Sequence, residues 1–317
     1  MLQEICSKLE KLVVDVVSDC KSDCIALSGG LDSSILAFCL NNKKIRSIVT
    51  ITEDFPSTDL MYSQLVARQI GLQLDVNNAS ITDLTNAVED TIKILKVFNP
   101  IEIRNSIVMY ITMKTAKEKG CTSIITGDGA DELFAGYSFF LQKQGLELQK
   151  DLERIWKIMH FPTQHLGKSL GVAVESPFLN EKVAEYAKSI PADLKVHEEN
   201  GTKHGKWILR KAFEKRLPES ITWRTKSPMQ DGSGTSGLIL FFDNVIADSV
   251  FKDKAEMYLE KEKVRLETKE SLCYYELYRK YHEPPAYLGS SKSRCPMCQA
   301  VKELASHFCR MCGSFPI

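Results

Sequence analysis

The sequence predicts an α/β protein with a parallel, doubly wound sheet, a helical C-terminal cap and a small four-cysteine module at its end. Three observations carry this. Short β-branched runs alternate with helical periods as far as Thr126; the strand signal fades from about Leu141; and two Cys-x-x-Cys pairs close the chain. The 317 residues suffice for a sizeable core, and 44% hydrophobic with 26% charged residues is an ordinary globular balance. Lys+Arg and Asp+Glu both number 41, so net charge gives no argument for a nucleic acid or an anionic membrane as partner. No run approaches the ~18 apolar residues of a membrane span.

The elements follow in order. Ile5, Leu9, Leu12, Val13, Val16 and Val17 form one helical stripe, and the charges among them (Glu4, Lys8, Glu10, Lys11, Asp15, Asp19) exclude a signal peptide's apolar core. Asp23–Leu27 reads as a short buried strand, Leu31–Leu40 as a helix and Ile45–Thr52 as a second strand. A helix over Thr58–Ile70 ends at Gly71, and Leu72–Val76 is a third strand. Ser80 starts a helix that Asn99-Pro100 stops, a further helix spans Glu102–Lys119, and Cys121–Thr126 is a fourth strand. Beyond it, Leu148–His160, Glu181–Ile190, Lys206–Arg216 and Asp253–Tyr281 look helical. The expected division is a catalytic domain over 1–285, a linker over 286–294 and a metal module over 295–317.

Ser28-Gly29-Gly30-Leu31-Asp32-Ser33-Ser34 joins the first strand to its helix. Glycines let backbone N–H groups approach an anion, and the helix points its positive end at the same spot. The serines add hydroxyl donors, and Asp32 suits the Mg²⁺ that accompanies a polyphosphate. Gly167-Lys168-Ser169 imitates the end of a Walker loop but lacks its upstream glycine and preceding strand; a Gly-x-Gly-x-x-Gly fingerprint is absent from the first strand–helix junction.

With these residues the chain resembles the ATP pyrophosphatases of the PP-loop type. Thr126-Gly127-Asp128-Gly129-Ala130-Asp131-Glu132-Leu133-Phe134-Ala135-Gly136-Tyr137 resembles the version in the asparagine synthetase family. Two further stretches agree in order: Pro177-Phe178-Leu179-Asn180, and Lys206-Trp207-Ile208-Leu209-Arg210 followed by Trp223-Arg224-Thr225-Lys226 and Asp231-Gly232-Ser233-Gly234. The resemblance covers roughly Cys24–Gly234. It implies an adenine nucleotide alpha hydrolase-like sheet and an amide ligase that adenylates a carboxylate with ATP, releasing AMP and pyrophosphate. Ser28–Ser34 and Gly127 would bind the nucleotide, and Asp32 with Asp131 would hold Mg²⁺. Lys226 would neutralise phosphate charge, and Asp128 would meet the nitrogen nucleophile.

Four departures stand out. Asp128 replaces the family's glutamate and is one methylene shorter. Asn180 replaces an aspartate and Glu175 an arginine, a charge pattern that argues against plain aspartate as substrate. The family's N-terminal glutaminase begins with a cysteine; here Leu2 follows Met1 and only 27 residues precede Ser28. Nitrogen is therefore expected from free ammonia, a separate glutaminase or carrier protein, or an amine on another substrate. Lys206 and Arg210 are read as helix-surface or substrate-pocket charges.

Of ten cysteines, Cys6, Cys20, Cys24, Cys39, Cys121 and Cys273 read as reduced thiols. Cys295, Cys298, Cys309 and Cys312 have the spacing of a closed zinc ribbon, with a Fe–S cluster as the weaker alternative, and point to a reducing, cytoplasmic setting. Lys292, Arg294, Lys302 and Arg310 outnumber Glu303 over 291–317, which raises tRNA as a second candidate partner, with Phe308 and Phe315 as stacking residues.

Overall fold

The computed structural model describes residues 2–40, 45–199, 201–289, 293–302 and 306–317. Part of the expected linker, Lys292 and Glu303 lie outside the described residues. A five-stranded sheet is built from β1 (Cys24–Ala26), β2 (Arg46–Thr52), β3 (Gln73–Ala79), β4 (Ser123–Ile125) and β5 (Ala173–Glu175), in the order β3-β2-β1-β4-β5. β1 runs parallel to β2 and β4, and β4 parallel to β5. This is the order of a doubly wound sheet, with its switch point between β1 and β4. A separate antiparallel hairpin joins β6 (Val196–Glu199) to β7 (Thr202–Gly205).

Helices α1 (Leu2–Asp19), α2 (Leu31–Cys39), α3 (Asp59–Ile70), α4 (Ile81–Leu95) and α5 (Pro100–Glu118) occupy the first third of the chain. After β4 come α6 (Ala130–Leu133), α7 (Gly145–Ile158), α8 (Pro162–Leu170), α9 (Glu181–Ser189), α10 (Trp207–Phe213) and α11 (Glu219–Thr222). The last are α12 (Met229–Ser233), α13 (Leu238–Val245), α14 (Asp248–Glu262) and α15 (Lys269–Tyr281). Among the described residues no helix is long and apolar enough to cross a membrane.

The chain divides into two compact units. The first comprises Met1–Val49, Thr58–Asn77 and Thr112–Pro228; the second comprises Thr50–Ser57, Asn78–Ile111 and Met229–Ile317. In the first, the α1 stripe buries Leu9, Val13 and Val17 with Ile25 and Leu27 of the β1 segment, Ile35 of α2 and Ile125 of β4. Fully apolar short strands belong in a parallel sheet covered on both faces. In the second unit, Phe98 packs edge-on against Tyr275 at 4.8 Å and against Tyr278 at 5.4 Å. Ser80 caps α4 and Thr268 caps α15, each through a reciprocal bond with the residue three positions on.

Several sequence expectations change. The single helix over Asp253–Tyr281 is two, because Lys263 turns left-handed after α14 and Thr268 caps the next start. β5 and the β6–β7 hairpin lie in the stretch expected to be a mostly helical cap. Cys24 and Cys121 are joined by a disulfide, with Cα atoms 6.2 Å apart, rather than free. β1 and β4 are neighbours, which a 97-residue sequence separation conceals. Cys39 and Cys273 remain thiols, and burial pushes them up to about 12 and about 11, outside the reactive range.

Candidate functional site

Both predicted phosphate-side strings leave the carboxyl ends of adjacent strands, β1 and β4, all within the first unit. Ser28, Gly29 and Gly30 form the turn; Leu31, Asp32, Ser33 and Ser34 are the first turn of α2. Gly30 caps this helix with no side-chain bond, so the first-turn N–H groups are not consumed by a cap. The turn is held by its serines: Gly30 N donates to Ser28 Oγ at 3.2 Å, and Ser33 Oγ lies 3.2 Å from Ser28 Oγ. Ser34 Oγ and Asp32 Oδ1 are buried and have no hydrogen-bond partner. Gly127 packs on this turn so closely that a Cβ there would stand 3.1 Å from the Asp32 Cβ.

Asp32 and Asp131 converge on one point. Lys206 Nζ lies 2.5 Å from Asp32 Oδ2 and 2.8 Å from Asp131 Oδ1, and Lys226 Nζ lies 2.6 Å from Asp131 Oδ2. Lys206 is a finding beyond the sequence expectation. Its side chain is only 5% exposed, and its backbone is left-handed (φ 56) just before α10. Hydrophobic periodicity has no term for a buried lysine between two acids. Burial disfavours the Lys206 ammonium, but Asp131 and Asp32 overcome it and raise its pKa. Burial likewise opposes ionisation of Asp131, yet Lys206 and Lys226 hold its carboxyl below the usual carboxylate range. The Lys206 ammonium occupies the point on which the two carboxylates converge, and the buried, unpartnered Asp32 Oδ1 is the oxygen left to meet a hard divalent cation whose other ligands come from phosphate and water.

Arg210 is also buried, and it serves the backbone. Its guanidinium donates to the carbonyls of Gly205 (3.0 Å), Thr222 and Arg224 (3.1 Å). It thereby fixes the segments that carry both lysines.

Asp128 stands outside the lysine network. Its Oδ2 accepts from Thr126 Oγ1 at 2.9 Å and from Thr163 Oγ1 at the start of α8, and Ser176 also bonds its carboxylate. Burial raises its pKa, and the three hydroxyls work against that rise. Glu132 is raised by burial too, and accepts from the Tyr137 hydroxyl. Gly167-Lys168-Ser169 lies in the last turn of α8, in keeping with its rejection as a phosphate loop.

The other two substituted positions, Glu175 and Asn180, do structural work. Glu175 accepts from Lys21 N at 3.0 Å, from Ser22 N at 2.7 Å and from Ser22 Oγ, securing the segment before β1. Asn180 caps α9, its Oδ1 accepting from Lys182 N at 3.1 Å. Both charge changes thus have a structural partner in this fold, beside the substrate-side reading of the sequence.

In the second unit, Cys295, Cys298, Cys309 and Cys312 bring their sulfurs within 4.8 Å of one another. Cys295–Cys312 and Cys298–Cys309 Sγ distances are 3.8 and 3.7 Å. Tetrahedral Zn–S bonds of about 2.3 Å require sulfurs about 3.8 Å apart, so the four thiolates fit zinc. Both turns are tied into this unit: Arg265 N donates to Met297 O at 2.7 Å, and Phe98 N to Met311 O at 2.9 Å. The described basic residues bond internally. Arg294 donates to Gln299 O and Gly289 O, Lys302 to Ile317 O, and Arg310 pairs with Glu102 at 3.8 Å.

The family model described as asparagine synthase matches residues 8–167 and 150–289. A probable glutamine-hydrolysing asparagine synthetase of Dictyostelium discoideum is 31% identical over 298 residues, 83% of this chain and 53% of its own length. Asparagine synthetase of Gallus gallus is 30% identical over 275 residues, 81% of this chain and 48% of its own. A solved NMN synthetase from Francisella tularensis covers 89% of this chain and 94% of its own at 12% identity, with a TM-score of 0.41. The chain thus spans about half the length of the curated relatives it matches. With the family model covering most of its residues, the chain belongs to the asparagine synthase family.

Proposed function

We propose that this chain is an ATP-dependent amide ligase that adenylates a carboxylate, releases pyrophosphate and passes the acyl group to a nitrogen nucleophile. The observation that carries the reading is the convergence of Asp32, Asp131, Lys206 and Lys226 at the switch point between β1 and β4. In this reading the α2 N-terminus and the Ser28–Ser34 hydroxyls seat the phosphates. Asp32 and Asp131 hold Mg²⁺, which would supply charge neutralisation on the leaving pyrophosphate. Lys226, the more exposed lysine, meets phosphate oxygens as negative charge accumulates. Asp128, bonded only through hydroxyls, serves the later step by orienting ammonia or an amine. Nitrogen comes from free ammonia, a separate glutaminase or a carrier. The four-cysteine module holds structural zinc, since four thiolates leave no open position. With Arg294, Lys302 and Arg310 engaged internally, the tRNA-modifying alternative draws no specific support.

The test is a pyrophosphate-release screen over carboxylic acids with Mg·ATP and ammonia, with and without tRNA. Turnover on an acid with ammonia alone supports the ligase. Turnover that appears only with tRNA would replace it with the modifying enzyme, and no release with any acid or RNA would sink both.

A further inference from the structure

One guanidinium links the two loops on which the proposed reaction depends. Arg224 lies two residues before Lys226, and its side chain is 9% exposed. Nη1 donates to the carbonyl of Gly29 at 3.1 Å. Nη2 turns to the start of α3, reaching Thr58 Oγ1 at 3.2 Å and Asp59 Oδ1 at 3.4 Å. The flat face of the group lies 3.6 Å above the Tyr62 ring. Gly29 is pressed onto the same helix: its φ is +70, and a Cβ there would fall 2.3 Å from the Tyr62 carbonyl carbon and 2.4 Å from Ser63 N. The phosphate loop is thus held between the α3 backbone on one side and Arg224 on the other. Arg224 is itself anchored, because its carbonyl accepts from Arg210.

We infer that Arg224 is a positioning residue, a strut that fixes the Gly29 peptide and sets the Lys226 segment in register with the phosphate loop. The inference rests on the ligase reading for its functional consequence and on geometry alone for the strut. Arg224 is not placed to neutralise phosphate itself. Its charge faces the buried Asp59, and both terminal nitrogens are engaged, Nη1 by Gly29 and Nη2 by Thr58 and Asp59. Binding the Gly29 carbonyl orients the peptide whose other end is the Gly30 N–H, immediately before the uncapped first turn of α2. Lysine cannot replace this action, because a point charge cannot reach Gly29 and α3 with separate nitrogens while stacking on Tyr62.

The experiment is amide hydrogen exchange on the full chain, wild type against Arg224→Lys and the milder Asp59→Asn, paired with Mg·ATP binding by calorimetry. In Arg224→Lys, peptides covering 28–34 and 224–228 should exchange at least ~10-fold faster, the scale of losing a hydrogen bond to a charged group. Peptides from α1 and α9 should exchange as in wild type, and Asp59→Asn should show the same pattern more weakly. Mg·ATP affinity should fall in parallel. Unchanged protection of 28–34 in both variants overturns the strut. So does a rise spread evenly over the first unit, which would make Arg224 a general stabiliser. If wild type binds no nucleotide while local protection is lost as expected, the strut stands and the ligase reading fails.

Discussion

Asp32, Lys226 and Asp128 are separable at the level of single side chains. Asp32→Ala should abolish ATP–pyrophosphate exchange, because the leaving charge loses a ligand of its neutralising cation. Lys226→Ala should slow exchange by at least ~100-fold, about 3 kcal/mol, the usual worth of one such transition-state contact. Arginine at 226 should rescue poorly. Asp128→Ala should spare exchange and slow amide formation, since its partners are Thr126, Thr163 and Ser176 rather than the lysines. Measuring the two half-reactions separately decides this, and equal loss of exchange in all three variants would move Asp128 into the ATP half.

Lys195 poses a different question at the same scale. It is fully buried, its Nζ has no hydrogen-bond partner, and it rests 4.5 Å over the Trp156 ring. Burial pushes its pKa down to about 7. Below that value the folded chain carries a buried charge at full cost. As pH rises from about 7 toward the ordinary lysine pKa, the unfolded chain binds the extra proton, and folding becomes more favourable. Lys195→Met should therefore stabilise the protein at neutral pH by ~1–3 kcal/mol, and the gain should shrink as pH rises. Urea unfolding of both proteins at about pH 7 and about pH 9.5 checks it; a gain independent of pH would refute the account.

At the scale of elements, Asn180 and Glu175 make a sharp comparison. Asn180→Asp restores the family residue at an N-cap that either side chain satisfies, so stability and turnover should both stay close to wild type. Glu175→Arg removes the acceptor for Lys21 N and Ser22 N, and should cost roughly 1–3 kcal/mol. Thermal melts with exchange assays test the pair. A large change of substrate preference in either variant would return these residues to the substrate side. The first four strands were legible because β-branched runs alternate with helical periods. β5 was not: Ala173-Val174-Glu175 is three residues long, and its pairing with Ser123–Ile125 is set by distant chain. The Ser28–Ser34 turn and the cysteine cluster were legible because local spacing sets them. Lys206 and Arg210 were not, because their partners lie elsewhere in the fold: Lys206 pairs with Asp32 across 174 residues.

For the whole molecule, the four-cysteine module is the part whose folding the proposed zinc would govern. So small a module lacks the apolar area to fold alone, and bound zinc, at roughly 10–16 kcal/mol, would supply what burial does not. Metal analysis should return one zinc per chain; a variant with all four cysteines replaced that retained the metal would end the assignment. The sheet order has a consequence for synthesis. β1 is a central strand, but its partner β4 is encoded about a hundred residues later. At 5–20 residues per second, a ribosome leaves one edge of β1 unpaired for roughly 5–20 s. During that interval the nascent chain presents Cys24, Ile25 and Ala26 as an open, apolar template for another strand. The hazard of misassembly is thus greatest before the strand that completes the crevice at the sheet's switch point has emerged.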